Sequence, residues 1–148
     1  MTIPPNTSDA RRETAETVAR GEHFFQQLGM RDVPAPEGHK AIELDLRAEV
    51  SNVRGALQGG LIAVLIDVCA GRLAYESCDH EKGYSTATSD FTVHYLSPVT
   101  VGPAHVEARI LRRGRTTFVL HVDVTDAGRD HKLAAVSTIA FTVLAPKS

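Results

Sequence analysis

The chain has 148 residues, of which 43% are hydrophobic and 23% are charged, and its net charge is −2 at pH 7. This length and composition predict one soluble globular domain with a sizeable core. The near-neutral charge gives no basic signal for nucleic acid or a membrane surface, and the sequence lacks the run of about eighteen apolar residues that a transmembrane helix needs.

The first 30 residues predict a tail and a helix that precede the main domain. Met1–Ser8 is predicted to be a disordered tail. The longer N-terminal segment Met1–Arg20 is polar and lacks the apolar core of a signal peptide. Asp9–Leu28 places its apolar side chains roughly on one helical stripe, and Gly29 is a plausible C-terminal cap. We therefore divide the chain into residues 1–30 and a single domain, residues 31–148.

The rest of the chain alternates between strand and helix patterns. After turn-rich residues 34–38, Lys40–Val50 alternates apolar and polar side chains, as in a half-buried strand. The apolar run Leu57–Ser77 predicts one long helix. Turn signals at residues 113–114 and 126–128 predict hairpins. Four further alternating segments read as strands: Ser85–Leu96, Ala104–Arg112, Thr116–Thr125 and Leu133–Leu144.

Burial then predicts the architecture. The long helix is apolar on nearly all sides, and each strand has one apolar face, so an antiparallel sheet of about five strands that curls around the helix would bury both. The expected class is α+β, with an additional N-terminal helix. Such a sheet leaves open edges, which a second copy of the chain commonly covers.

The loop and helix start at residues 52–67 form the most informative segment. Polar Asn52 is followed by Gln58-Gly59-Gly60, and backbone N–H groups at a helix start favour negative charge. Asp67 lies in an apolar run, where a buried carboxylate is costly unless it is paired, hydrogen-bonded or used. An oxyanion-binding helix start and an acid or base are two halves of an acyl-transfer site.

These residues, together with the strand Thr88–Pro98, Val101-Gly102 and Arg112–Arg115, resemble the hotdog-fold acyl-CoA thioesterases of the phenylacetate-degradation type. The similarity runs from about Lys40 to Leu144. It implies hydrolysis of an acyl- or aryl-CoA to the free acid and CoA, without a metal or a tightly held cofactor. It also implies a homotetramer, a dimer of dimers in which one subunit supplies the helix start and its partner supplies the carboxylate.

The resemblance assigns roles residue by residue. Asp67 matches the catalytic carboxylate, as nucleophile or general base, and Gly59 matches the residue whose N–H polarises the thioester carbonyl. Asn52 matches a polar residue that places the substrate or water, and Thr88 matches a hydroxyl near the carboxylate. Gln58 stands where most relatives have His and some have Gln, so we expect it to orient water or the carbonyl.

Three arginines flank the predicted hairpin turn at Gly114. Arg112, Arg113 and Arg115 are candidates to bind the phosphates of CoA, because guanidinium groups bind phosphate bidentately. Solvated turn residues are the alternative. Cys69 and Cys78 lack the spacing of a metal site and are expected to be free thiols in a reducing cytoplasm.

Each site residue also has a structural alternative. In that view Asp67 forms a buried salt bridge, Gly59 permits tight packing, Gln58 caps the helix, Asn52 satisfies its own turn and Thr88 is an ordinary strand residue. Thr86 and Ser89 are the alternates for the functional hydroxyl at Thr88. The alternative function is a non-catalytic acyl-CoA-binding or regulatory hotdog domain. A dehydratase or hydratase ranks lower, because those relatives need a His near the helix and position 58 is Gln.

Overall fold

The computed structural model describes residues 7–147, which form two compact units, one up to Met30 and the other from Arg31 onward. The first unit contains two helices, α1 (Thr7–Ala19) and α2 (Phe24–Leu28). Of the tail predicted for Met1–Ser8, the first six residues lie outside the described part of the chain. Thr7 and Ser8 already belong to α1.

The single helix predicted for Asp9–Leu28 is wrong, because the chain breaks between α1 and α2. Gly21 adopts a left-handed conformation, with φ of 72°, which a helix does not continue through. His23 then caps α2: its Nδ1 accepts from Phe25 N, and the Gln26 side chain accepts from His23 N. Gly29 ends α2 in a left-handed conformation, which confirms the predicted cap.

The second unit is an antiparallel sheet of six strands and one long helix. The strands are β1 (Arg31–Val33), β2 (His39–Leu44), β3 (Ser85–Tyr95), β4 (Ala104–Arg113), β5 (Thr117–Asp126) and β6 (Lys132–Leu144), and the helix is α3 (Gly59–Ser77). The strand order is β1-β2-β4-β5-β6-β3, with every neighbour antiparallel. Short 3-10 turns span Ala48–Val50, His80–Lys82 and Ala127–Arg129.

The core lies between α3 and the face of the sheet that curls around it. Helix α3 packs against strands β2 to β6. It buries Ile62, Leu65, Ile66, Cys69 and Leu73, and the sheet contributes buried side chains on one face, among them Ile42, Val106, Leu120, Val122, Ile139 and Phe141. This arrangement confirms the α+β class and the sheet wrapped around one long helix. No helix within residues 7–147 is both long and apolar enough to cross a membrane.

Two details of the sheet differ from the prediction. The strand expected over Lys40–Val50 ends at Leu44, because its partner β4 begins at Ala104, the residue paired with Leu44. Beyond that pair the chain has no strand to bond and turns at Ala48–Val50. The sixth strand, β1, was not expected, since three residues are too few to show a periodic pattern.

Strand β3 forms one edge of the sheet and pairs with β6. A β-bulge at Ser89 shifts its register between Thr88 and Asp90. Residues paired across two strands lie on the same face of a sheet. Thr88 is paired with buried Phe141 and Tyr95 with buried Ala135, so both face α3. This edge strand therefore borders the N-terminal half of the helix, where Thr88 meets Asp67 and Tyr95 meets Gly59.

Candidate active site

The start of α3 presents backbone N–H groups to its surroundings. Gln58 is the N-cap, and its carbonyl oxygen accepts hydrogen bonds from Leu61 N (3.0 Å) and Ile62 N (3.1 Å). Gly59 and Gly60 are the first two helical residues, whose N–H groups have no acceptor inside a helix. Among the described residues, the exposed Gln58 side chain makes no capping hydrogen bond, so the helix-cap alternative for Gln58 finds no support.

The loop before α3 is held by Asn52. Its Oδ1 accepts from Arg54 N (2.9 Å) and Ala56 N (3.2 Å), and its own N–H donates to Ala56 O. The side-chain oxygen of Asn52 therefore has the structural role in its own turn that was the alternative to a functional one. Its amide nitrogen is a separate donor, and Asn52 lines a cavity of about 340 Å³ at the helix start.

That cavity extends from Gly59 to the end of strand β3. Apolar side chains form most of its wall: Ala56, Leu57, Ile62, Leu96 and Pro98. Tyr95 and Ser97 add hydroxyl groups. Apolar cavities with a few placed polar groups are the usual form of a small-molecule site. Tyr95 was not among the predicted site residues, although its pairing with buried Ala135 puts it on the face of the sheet toward α3.

Asp126 also supports the start of the helix, although its sequence position predicted only a turn residue. Its buried carboxylate accepts hydrogen bonds from Thr100 N (2.8 Å), Val101 N (3.2 Å) and Gly102 N (2.7 Å). Burial favours a higher pKa for Asp126, but these donors outweigh burial and hold its pKa below the ordinary value. The adjacent Val99 carbonyl accepts from Leu57 N, so this loop also supports the start of α3.

Asp67 lies on the side of α3 away from the core. It is half-buried, and not enclosed by apolar side chains as the apolar run suggested, because of the described strands only the edge strand β3 borders this side of the helix. Its Oδ1 accepts a hydrogen bond of 2.6 Å from Thr88 Oγ1. Of the alternates, Ser89 is bonded to Ala140 O through its hydroxyl. The structure therefore brings Asp67 and Thr88 together, as the resemblance implies.

Gly59 and Asp67 do not meet within one chain. They are eight residues apart in α3, which is about 12 Å along the axis at roughly 1.5 Å per residue. In a reacting thioester, the oxyanion donor lies about 3 Å from the carbonyl oxygen, and the attacking group lies about 3–3.5 Å from the carbonyl carbon. The Gly59 N–H and the Asp67 carboxylate of one copy of α3 are therefore too far apart to act on the same thioester carbonyl.

Arg112 and Arg113 lie on opposite faces of strand β4, and Arg115 lies in the turn that follows it. Arg113 is paired with buried Phe118 and lies over its ring at 5.7 Å, whereas Arg112 is paired with Val119 on the opposite face. Arg113 and Arg115 line a cavity of about 300 Å³ near the C-terminal end of α3, together with Lys82 and Tyr84. The structure thus brings two of the three candidates together and adds Lys82, which was not predicted and is ion-paired at 2.7 Å with Asp79 of the same cavity.

Neither cysteine forms a disulfide, and both are buried, as the sequence analysis expected of free thiols. Burial raises the pKa of the Cys69 thiol to about 12, so Cys69 is uncharged at neutral pH and is no nucleophile. Within the described part of the chain, no three His, Cys, Asp or Glu side chains are placed to hold a metal ion.

Comparison with known proteins agrees with this geometry. A sequence model of the thioesterase superfamily matches residues 54–131, more than half of the chain. Human acyl-coenzyme A thioesterase 13 is 30% identical over 117 residues, which cover 78% of this chain and 81% of that protein.

Two solved structures share the fold. Thioesterase HI1161 from Haemophilus influenzae superposes with a TM-score of 0.75 at 20% identity, over 82% of each chain. A mutant of thioesterase PA1618 from Pseudomonas aeruginosa gives a TM-score of 0.74 at 18% identity, over 96% of each chain.

The wrapped helix and the match over residues 54–131 define a hotdog-fold protein of the thioesterase superfamily, and the chain belongs to that family. It is accordingly a thioester hydrolase.

Proposed function

We propose that the protein hydrolyses an acyl-CoA to the free acid and CoA. The observation that carries this proposal is the half-buried Asp67 carboxylate, which Thr88 of the edge strand holds by a hydrogen bond of 2.6 Å. The similarity to human acyl-coenzyme A thioesterase 13 supports acyl-CoA as the substrate class.

In the proposed reaction, the carbonyl oxygen accepts a hydrogen bond from Gly59 N–H at the start of α3. In one route, Asp67 of the partner subunit attacks the carbonyl carbon and expels CoA thiolate, and water then hydrolyses the mixed anhydride to the free acid and regenerates Asp67. In the other route, Asp67 takes a proton from a water that attacks the carbonyl carbon, and the C–S bond breaks to give the free acid and CoA thiolate. Both routes place negative charge on the carbonyl oxygen, which a helix start stabilises without a metal. Gln58 and the Asn52 amide nitrogen orient the water or the carbonyl.

The two cavities suit the two ends of this substrate. The apolar cavity beside Gly59 receives the acyl group, and its wall of aliphatic side chains favours neither an aliphatic nor an aryl group. Arg113 and Arg115 bind CoA phosphates in the second cavity, with Lys82 beside them. Arg112 lies on the other face of the strand, so in this proposal it contributes less to that site.

The assembly follows from the separation of Gly59 and Asp67, which requires a second copy of the chain for a complete site. The open edge of β3 and its exposed side chains Phe91, Tyr95 and Leu96 provide a surface that a second copy can cover. We propose the homotetramer of two such dimers. The phenylacetate-degradation type and the cytoplasmic location stay predictions.

The test is a panel of aliphatic and aryl acyl-CoAs, assayed by thiol release with the wild-type protein and with Asp67→Asn. Hydrolysis that depends on Asp67 supports the proposal and identifies the acyl group. Acyl-CoA binding without hydrolysis by the wild-type protein would favour the non-catalytic binding domain.

A further inference from the structure

Tyr95 contacts the start of α3 in two ways. Its hydroxyl donates a hydrogen bond of 2.7 Å to the carbonyl oxygen of Gly59. Its ring also lies against the Cα of Gly59, so that a Cβ built at that position would meet the ring at 3.6 Å. A strand residue thus holds the first peptide group of the helix from outside.

The geometry of the peptide group determines what this hydrogen bond does. The carbonyl of Gly59 and the N–H of Gly60 belong to one planar trans unit and point in opposite directions. Fixing the Gly59 carbonyl therefore fixes the direction of Gly60 N–H. The preceding unit is held by the helix alone, because the Gln58 carbonyl is bound by Leu61 N and Ile62 N, and this orients Gly59 N–H. The Gly59 carbonyl lies inside α3 and also accepts the helical hydrogen bond from four residues on, so the Tyr95 hydroxyl is a second donor that holds it from outside the helix.

A restraint is needed at this position. Two successive glycines have more backbone freedom than any other pair of residues, and the first turn of a helix is where its structure frays. In addition, a donor on the Gly59 carbonyl polarises the peptide group and strengthens its N–H as a donor. Tyr95 therefore supplies both order and polarisation to Gly60 N–H.

We propose that Tyr95 is a positioning residue for the oxyanion site, and that Gly60 N–H is a second donor to the carbonyl oxygen beside Gly59 N–H. This inference rests on the proposed function, and it adds Tyr95 and Gly60 to the residues that take part in it. Gln58 O orients the first donor, and Tyr95 orients the second.

The test is Tyr95→Phe, which keeps the ring against Gly59 and removes only the hydroxyl. We expect kcat for acyl-CoA to fall on the order of 10-fold, with KM nearly unchanged, because the lost restraint acts on the charge that develops during the reaction. Tyr75→Phe is the matched control. Tyr75 is exposed on α3 and stacks on His80, so its hydroxyl should have no effect on kcat.

A second readout does not depend on turnover. In protein labelled with ¹⁵N-glycine, Tyr95→Phe should shift and broaden the Gly60 amide signal, while the signal of Gly71, in the middle of α3, stays in place. An unchanged Gly60 signal or an unchanged kcat would overturn the role of Tyr95 and leave the thioesterase assignment intact, since wild-type and Asp67→Asn rates decide that assignment. A wild-type protein without activity on any acyl-CoA would overturn both.

Discussion

Asp67 and Thr88 form a pair in which a neutral hydroxyl holds a carboxylate at the surface of the helix. Asp67→Asn keeps the shape of the side chain and removes its charge. We expect kcat for acyl-CoA to fall about 10²-fold or more, the scale of losing a general base. The free energy of unfolding should change little, because Asp67 is half-buried and has no cationic partner among the described ion pairs.

Asp90→Asn is the control for this substitution. Asp90 lies on the same strand as Thr88 but beyond the bulge, is exposed, and accepts only a long bond of 3.4 Å from Ser89 Oγ. The kcat of Asp90→Asn for acyl-CoA should equal that of the wild-type protein. If Asp67→Asn hydrolyses acyl-CoA at the wild-type rate, or if it unfolds the protein, Asp67 is a structural residue.

Asp126, unlike Asp67, has a structural role, because its buried carboxylate accepts three hydrogen bonds from the backbone of the loop at residues 100–102. Asp126→Asn replaces one oxygen by an NH₂ group that faces backbone N–H donors, so at least one of the three hydrogen bonds is lost. At neutral pH the free energy of unfolding should fall by on the order of 3 kcal/mol, as for hydrogen bonds to a charged group. Chemical denaturation measures this change, and Asp130→Asn in the next turn, where the residue is exposed, is the control.

The pH dependence of stability follows from the lowered pKa of Asp126. The unfolded state holds this proton more tightly than the folded state, so the contribution of Asp126 is complete above its unfolded pKa, near pH 4. It is lost as the pH falls through the folded pKa. The wild-type protein should therefore lose stability more steeply than Asp126→Asn as the pH falls below about 4, and parallel curves would contradict this account.

At the scale of helices and strands, long periodic segments could be predicted from the sequence and their interruptions could not. The apolar run gave α3 within two residues of its start, because nineteen helical residues leave a clear pattern. The break at Gly21 and the end of β2 at Leu44 depend on a single backbone conformation and on where a distant strand begins. Neither property is present in the local pattern.

The candidate site shows the same limit. Asp67 and Gly59 were recognisable because each residue type is unusual in its place. Tyr95 and Asp126 were not, because the first looks like an ordinary strand residue and the second like a turn residue. Their roles arise from contacts with residues 36 and 24 to 26 positions away. The bulge at Ser89, which places Thr88 toward Asp67, also leaves no sequence pattern.

The hairpin between β4 and β5 gives a prediction at this scale. Replacing Arg113 and Arg115 together by Ala should raise KM for acyl-CoA by 10-fold or more, at about 1.5–3 kcal/mol for each hydrogen bond to a charged group. A truncated thioester that lacks the nucleotide should be affected much less. Arg112→Ala should have a smaller effect than the double substitution, because Arg112 lies on the other face of the sheet.

Arg109→Ala is the control, since Arg109 is exposed on β4 away from that cavity. Steady-state kinetics with both substrates measure the difference. Equal effects of the double substitution on the full and the truncated thioester would assign these arginines to the solvated turn.

For the whole molecule, the roles proposed for Gly59 and Asp67, together with their separation along α3, predict that two chains share each site. Gly59→Pro tests this, because proline is tolerated at the first position of a helix but has no N–H. Gln58 has φ of −56° and ψ of 130°, a conformation that suits the residue before proline. The variant should fold and lose activity by about 10²-fold or more, the cost of removing one oxyanion donor.

Gly59→Pro and Asp67→Asn should then complement each other when they are co-expressed in equal amounts. Half of randomly paired dimers are mixed, and each mixed dimer has one site with both native residues, so activity should recover to about a quarter of the wild-type value. In the control, Asp67→Asn is paired with the Gly59→Pro/Asp67→Asn double variant, and every site lacks the carboxylate. A mixture that stays as inactive as this control, or a protein that light scattering shows to be a monomer at micromolar concentration, would contradict the shared site, because only a second copy can bring Asp67 to the carbonyl at Gly59.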